Sequence, residues 1–296
     1  MRVLVVGGTG MAGHKLWQVL SRRFDTWATV RTPNQAAVEA GLLDAKRLLQ
    51  NVDVFHLDTI EQAIARVAPD VVVNATGVIK QSSMVKDSVA TITINALFPH
   101  QLAAMCCERG ARLIHISTDC VFSGRKGNYN ENDIADAEDL YGRSKLLGEV
   151  TAVNCLTLRT SLIGPELGTR NGLIEWFLGN RGKGVKGYTH AIFSGFPTIA
   201  FADLVATIIE EHAALSGLYH LSSDPVSKYD LLRMARDIYN APIEIEPCAD
   251  LQIDRSLDST RFRSITGFAP QPWPDMMALM AADTRTSHND KEYTWI

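Results

Sequence analysis

Short, nearly continuous apolar runs alternate along the first half of the chain with longer stretches whose apolar residues recur every three or four positions. Arg2 to Val6 is the first run, followed by Trp27 to Val30, Asp53 to His56, Asp70 to Ala75, Arg112 to Ser117 and Cys155 to Arg159. Runs this short and this apolar predict parallel strands buried on both faces. Between them, His14 to Phe24, Glu61 to Ala68, Val89 to Arg109 and Asp139 to Val153 read as crossover helices, the third kinked at Pro99. The alternation predicts an α/β fold with a doubly wound parallel sheet over residues 1–160.

After Arg159 the alternation gives way to two glycine-rich stretches, 164–172 and 179–187, around a short helix from Leu173 to Leu178. Later segments predict a helix from Asp203 to Ala214, a strand from Gly217 to Leu221, a helix from Lys228 to Tyr239, a strand from Ile243 to Glu246, and small helices near Ser259 and Met276. Residues 161–296 thus read as a smaller mixed α/β lobe covering the carboxyl edge of the sheet, with segments near 190–222 able to rejoin the first domain.

A formal charge of -4 over 296 residues gives no reason to expect a nucleic acid or a membrane surface as partner. The apolar stretch Leu4 to Val6 is too short for a secretory signal, and no later run is expected to span a membrane, so the cytoplasm is the expected compartment. Five cysteines without Cys-x-x-Cys spacing suit reduced thiols and no metal; His115, His190 and His220 likewise lack ligand spacing.

The first run leads straight into Gly7-Gly-Thr-Gly10-Met-Ala-Gly13. Glycines between a strand and a helix let backbone N–H groups and the positive helix end approach a pyrophosphate, so Gly7, Thr9, Gly10, Met11, Ala12 and Gly13 are candidate cofactor contacts. This Gly-x-x-Gly-x-x-Gly spacing differs from the Gly-x-Gly-x-x-Gly of the commoner dinucleotide folds; its place after the first strand and before the first helix is what points to phosphate binding in a Rossmann-type domain. At the end of the second strand stands Arg31, where an acid would bond a ribose 2′-hydroxyl and a cation accommodates a 2′-phosphate. NADP is therefore favoured, with NAD as the alternative. Asp58 is placed to meet the adenine, and Ala75, Thr76 and Gly77 are small enough to leave room for the nicotinamide side.

Tyr141 and Lys145 lie one turn apart on one helix face. An ammonium beside a phenol stabilises the phenolate, which makes the pair an acid-base device.

Three segments in order, 115–124 with Ser117-Thr118-Asp119-Cys120, 140–149 with Tyr141-Gly-Arg-Ser-Lys145, and 158–164 with Leu158-Arg-Thr, make the chain resemble the extended short-chain dehydrogenases/reductases, and within them the dTDP-4-dehydrorhamnose reductase group. The resemblance implies that Thr118 bonds the substrate carbonyl, Tyr141 donates the proton, Lys145 modulates it and holds the nicotinamide ribose, and Asn95 supports the proton path. Dehydratases of the same family follow the Ser/Thr with Asp-Glu. Here Asp119-Cys120 follows, which argues for ketone reduction and leaves Asp119 for a sugar hydroxyl and Cys120 for the pocket lining.

The implied activity is NADPH-dependent reduction of a nucleotide-linked 4-keto-6-deoxyhexose in deoxysugar and polysaccharide biosynthesis, with a homodimer compatible. The alternatives are an epimerase of the same family and a non-catalytic regulatory subunit like that of methionine adenosyltransferase. Lys80 and the cluster Arg255, Arg261 and Arg263 are candidates for the nucleotide diphosphate, Arg261 foremost, and Leu162 stands where the group often has an aromatic beside the sugar.

Overall fold

The structure is a computed structural model and describes residues 1–32, 38, 43–79, 83–167 and 171–287. Six strands come first: β1 (Arg2–Val6), β2 (Asp25–Val30), β3 (Leu48–Gln50), β4 (Val71–Asn74), β5 (Arg112–Thr118) and β6 (Cys155–Thr160). Then follow β7 (Leu162–Ile163), β8 (Gly184–Phe193), β9 (Phe196–Pro197), β10 (Gly217–His220), β11 (Val226–Ser227) and β12 (Glu244–Asp254). The central sheet has seven strands in the order β10-β6-β5-β4-β1-β2-β3, and every pairing in it is parallel. This is a Rossmann-like sheet.

Helices cover both faces, which is why the strands read as unbroken apolar runs. They are α1 (Met11–Leu20), α2 (Leu57–Val67), α3 (Ser88–Ile92), α4 (Phe98–Glu108), α5 (Leu140–Leu147), α6 (Leu173–Leu178), α7 (Thr198–Glu211), α8 (Lys228–Ile238), α9 (Thr260–Thr266) and α10 (Trp273–Ser287). Successive residues of β1 serve opposite faces. Val3 and Val5 join a core with Leu16, Leu20, Ala202 and Val205, whereas Leu4 and Val6 join one with Ile60, Ile64, Phe98 and Leu102.

Several sequence expectations need correction. The third strand is Leu48–Gln50 and not Asp53 to His56, because Asn51 takes a left-handed φ of 60° and Asp53 then folds into a turn, its carboxylate accepting the Phe55 N–H. Asp58 consequently lies in the first turn of α2, and Asp53 is the acid that follows the strand. Pro99 stands inside the helical stretch just after one π-helical turn, Thr93–Leu97, which is the local irregularity that accommodates its missing N–H. The helical stretch Ser88–Glu108 is long and apolar enough to cross a membrane, by length and composition only, and 61% of its most apolar window is buried within the fold. The helix bearing Tyr141 ends at Leu147, well short of Val153. A Cβ on Gly148 would stand 1.9 Å from the Asn95 carbonyl oxygen, so a glycine is needed where this helix passes the π-helical turn.

Within the glycine-rich stretch lies a strand that composition concealed. β8 is the middle of a three-stranded sheet, antiparallel to β11 and parallel to β12. Between β8 and β11 the chain returns to the central sheet, where α7 joins the core beside α1 and β10 pairs with β6. The C-terminal helix is tied to α1 by a buried Lys15–Asp283 ion pair of 2.5 Å.

Buried histidines give the fold an acid sensitivity, His14 and His220 among them. The Nδ1 of His14 lies 2.9 Å from the Gly10 carbonyl, that of His220 lies 3.0 Å from the Tyr129 carbonyl, and burial pushes each ring down from 6.5 to about 4. Between these values the unfolded chain binds protons that the folded one refuses, so stability is full above pH 6.5 and falls towards pH 4. Urea unfolding at a series of pH values should show that loss, and a His14→Gln, His220→Gln double variant should show a shallower one. An undiminished slope in the double variant would contradict the assignment.

Candidate active site

The order of the central sheet reverses direction between β1 and β4, and a crevice opens at the carboxyl ends of strands at such a point. The glycine loop lies there. Gly7 has a φ of +93°, and a Cβ on Gly13 would stand 2.0 Å from the Gly7 carbonyl oxygen, so side chains at these two positions would push the helix off the strand. Gly10 donates to the Gly7 carbonyl (3.1 Å), and Gly8, which sequence reasoning did not single out, donates to Thr29 on β2 (2.8 Å).

The N-cap of α1 is Gly10 and gives no side-chain cap bond, so this helix end keeps its positive pole available to an anion. Thr9, Met11 and Ala12 fall in the same turn. An open cradle of this kind fits a dinucleotide pyrophosphate. From the β4 side, Ala75 donates to Val6 (3.0 Å), while Thr76 bonds through both its N–H and its hydroxyl to the Asn74 side chain (3.1 and 2.6 Å). Gly77 follows in the same loop. Arg31 is exposed just beyond β2, at the same edge.

The end of one strand and one helix bring the second constellation together. Thr118 closes β5 and is buried; Tyr141 and Lys145 lie on α5, whose N-cap Asp139 accepts the Gly142 N–H at 2.8 Å. Thr118 is near enough to act on the Tyr141 phenol, while its own hydroxyl donates to Asp119 Oδ1 at 3.2 Å and accepts the Cys120 N–H at 3.1 Å. Lys145 is buried, with Nζ donating to the Ile116 carbonyl at 2.7 Å, and burial lowers it from 10.5 to about 8.

The Tyr141 phenol is pushed up, first by burial and then by Cys120. Burial outweighs the lowering that a nearby ammonium would bring, and the Lys145 ammonium itself is turned to the Ile116 carbonyl. Asn95 is fully engaged as a tie: its side chain bonds both backbone groups of Val78 (2.9 and 3.1 Å) and the Ser144 hydroxyl (3.2 Å).

Around this pair the groups sort themselves by position. Asp119 is buried, bonds Thr118 at 3.2 Å, and is raised above the usual carboxylate range by burial. Arg255 faces it: its field acts on Asp119 and Cys120, its Nε donates to the Phe122 carbonyl at 2.7 Å, and it lines a pocket of about 350 Å³ with Ser123, Arg125, Glu138 and Asp139.

The other two arginines of the cluster are placed differently. Arg261 lies over the Tyr219 ring (4.9 Å), and Arg263 is spent on Ser259 and the Ser222 carbonyl. Sequence order alone could not rank the three. Leu162 is partly buried in the short β7–β9 pair, and Lys80 lies outside the described residues.

A parallel sheet with an open phosphate cradle at its switch point and a Tyr-x-x-x-Lys helix beside β5 defines an extended short-chain dehydrogenase/reductase. Residues 1–285 match the family described as the RmlD substrate binding domain, and the chain belongs to that family. It is 24% identical over 298 residues to the dTDP-4-dehydrorhamnose reductase of Aggregatibacter actinomycetemcomitans, covering 92% of this chain and 95% of that one. It is 25% identical over 256 residues to methionine adenosyltransferase 2 subunit beta of Danio rerio, covering 81% and 75%. The crystal structure of dTDP-4-dehydrorhamnose reductase from Bacillus anthracis str. Ames in complex with NADP superposes with a TM-score of 0.77 at 19% identity, over 95% of this chain and 99% of that one. At that identity the likeness is one of fold.

The cysteines provide a check on the pocket. Burial pushes Cys120 up to about 12, with Asp119 adding to it, whereas Cys107 is exposed. A thiol so protonated is a poor nucleophile at pH 8. Iodoacetamide labelling followed by peptide mass spectrometry should find Cys107 modified first and Cys120 at least about 100-fold more slowly. Equal rates would mean that the fold does not shield this thiol.

Proposed function

We propose that the chain is an NADPH-dependent reductase of a nucleotide-linked 4-keto-6-deoxyhexose, acting in the cytoplasm in deoxysugar synthesis. The observation that carries this reading is the convergence of Thr118, Tyr141 and Lys145 at the sheet edge that also holds the open cradle of α1. The cradle would hold the pyrophosphate of NADPH, Arg31 its 2′-phosphate, and Lys145 its nicotinamide ribose. When bound, the cofactor supplies a hydride to C4 of the sugar.

The chain's own residues manage the oxygen. Thr118 and Tyr141 grip the ketone from two hydroxyls, and Tyr141 passes its proton to the oxygen as the carbonyl is reduced. A phenol pushed up by burial holds its proton at neutral pH, as a donor must. With Lys145 at about 8, its ammonium remains charged there and ready to stabilise the phenolate left behind. Asp119, raised by burial, offers a sugar hydroxyl a hydrogen bond, and Cys120 beside it supplies no second acid for elimination.

Removing the donor tests the reading. With NADPH and a panel of dTDP-, UDP- and GDP-linked 4-keto-6-deoxy sugars, Tyr141→Phe should lose about 10³-fold in kcat while binding NADPH within a few-fold of the parent. Near-full turnover by this variant would refute the proposal. The similarity to methionine adenosyltransferase 2 subunit beta supports a second reading, a regulatory subunit that binds NADP without turning over. Silence of the isolated parent chain across the whole panel, despite tight NADP binding, would favour it.

For the anionic part of the substrate the pocket favours Arg255 over Arg261. Losing one charged hydrogen-bond partner costs about 1.5–3 kcal/mol. Arg255→Gln should therefore raise KM for the sugar nucleotide by roughly 10- to 100-fold. Arg261→Gln should leave it within about 2-fold; the reverse order would return the role to Arg261.

A further inference from the structure

Behind the catalytic pair lies a buried ion pair that the proposed chemistry does not use. Glu149 and Arg159 have side chains only 6% and 7% exposed, and the guanidinium grips the carboxylate with two bonds of 2.7 Å, from Nε and Nη2. The Ser117 hydroxyl, immediately before Thr118 on β5, donates to the same carboxylate at 2.7 Å. Glu149 follows the last turn of α5, four residues after Lys145, and its own N–H donates to the Leu146 carbonyl at 3.2 Å.

One carboxylate therefore joins the helix that carries Tyr141 and Lys145 to the strand end that carries Thr118. Arg159 is itself held: its Nη1 meets His220 Nε2 at 3.2 Å, and its guanidinium lies over the Phe122 ring at 5.2 Å. Burying such a pair brings little net stability, and replacing both members by neutral groups is often tolerated, so stability alone is a weak reason for it.

We propose that Glu149, clamped by Arg159 and Ser117, is a positioning residue that sets the helix of Tyr141 and Lys145 against Thr118 and keeps the Lys145 side chain charged at the pocket. Burial lowers Lys145, and the Glu149 charge acts against that lowering. The other titratable or charged groups near Lys145 are Tyr141 on its own helix, His115 on β5, Asp119 and Cys120 in the turn after β5, and Arg159 on β6. Of these, His115 is held well below 6.5 and stays neutral, Asp119 and Cys120 act on Tyr141, and the Arg159 charge is taken up by Glu149. The role of Glu149 in turnover rests on the reductase reading; its hold on Lys145 does not.

The test reads the ammonium directly. In protein labelled with ¹³Cε-lysine, the Lys145 resonance, assigned by its loss in Lys145→Met, should titrate near pH 8. In Glu149→Gln the midpoint should fall by about one pH unit or more, and Glu149→Asp, which keeps the charge, should restore most of it. The alkaline limb of the kcat profile should move down by the same amount. A merely structural role would lower the melting temperature and leave the midpoint in place, and an unmoved midpoint overturns the proposal.

Should Glu149→Gln fail to fold because Arg159 is left unpaired, Arg159→Gln replaces it: the Glu149 charge is then uncompensated, the Lys145 midpoint should rise, and an unmoved midpoint again overturns the proposal. A shifted midpoint in a parent enzyme silent with every substrate would count against the reductase reading and in favour of Glu149.

Discussion

Backbone meets backbone at several glycines of this fold more closely than any Cβ would allow, and the site depends on two of these contacts. At one, Gly13 of α1 rests on the Gly7 carbonyl; at the other, Gly148 rests on the Asn95 carbonyl. The first contact brings the uncapped end of α1 over the end of β1. The second brings the helix of Tyr141 and Lys145 against the π-helical turn and so against the tip of β5. A side chain at either point would separate a helix from its strand, and the cradle or the acid-base pair would lose its place. Elsewhere the sheet tolerates ordinary apolar packing, because helices on both faces bury alternate residues of each strand.

Charge is handled by the same economy of distance. Lys145, Asp119, Glu149 and Arg159 are all buried near the carboxyl end of β5, where the dielectric is low and an uncompensated charge would be costly. Each is answered locally: Lys145 by a carbonyl, Asp119 by hydroxyls and the field of Arg255, and Glu149 and Arg159 by one another. The polar groups are thus held in place before any ligand arrives. Such preorganisation is what electrostatic stabilisation of a reacting carbonyl requires.

The later part of the chain serves the site by leaving the central sheet and returning to it. α7 and β10 complete the sheet, while β8, β11 and β12 form a separate small sheet. Its segment from Asp254 onward reaches back to the turn after β5, where Arg255 binds the Phe122 carbonyl and the Asn128 N–H donates to the Ser256 hydroxyl.

Much of this was legible in the sequence, for a physical reason. Doubly buried parallel strands must be continuously apolar, a phosphate cradle must have glycines between strand and helix, and a tyrosine and lysine sharing a helix face must be four residues apart. These rules are local, so β1, β4, β5, β6, the glycine loop and the Tyr141–Lys145 pair could be read directly. Whatever depended on distant partners could not. The third strand was misplaced because Asn51 turns the backbone before Asp53, and β8 was hidden by its glycines, of which Gly187 is set by the close approach of Tyr229 and Ile245. Which arginine faces the pocket, what raises Tyr141, and how Glu149 reaches across to Ser117 were decided by tertiary structure alone, because burial and charge coupling are properties of the packed neighbourhood and not of the chain order.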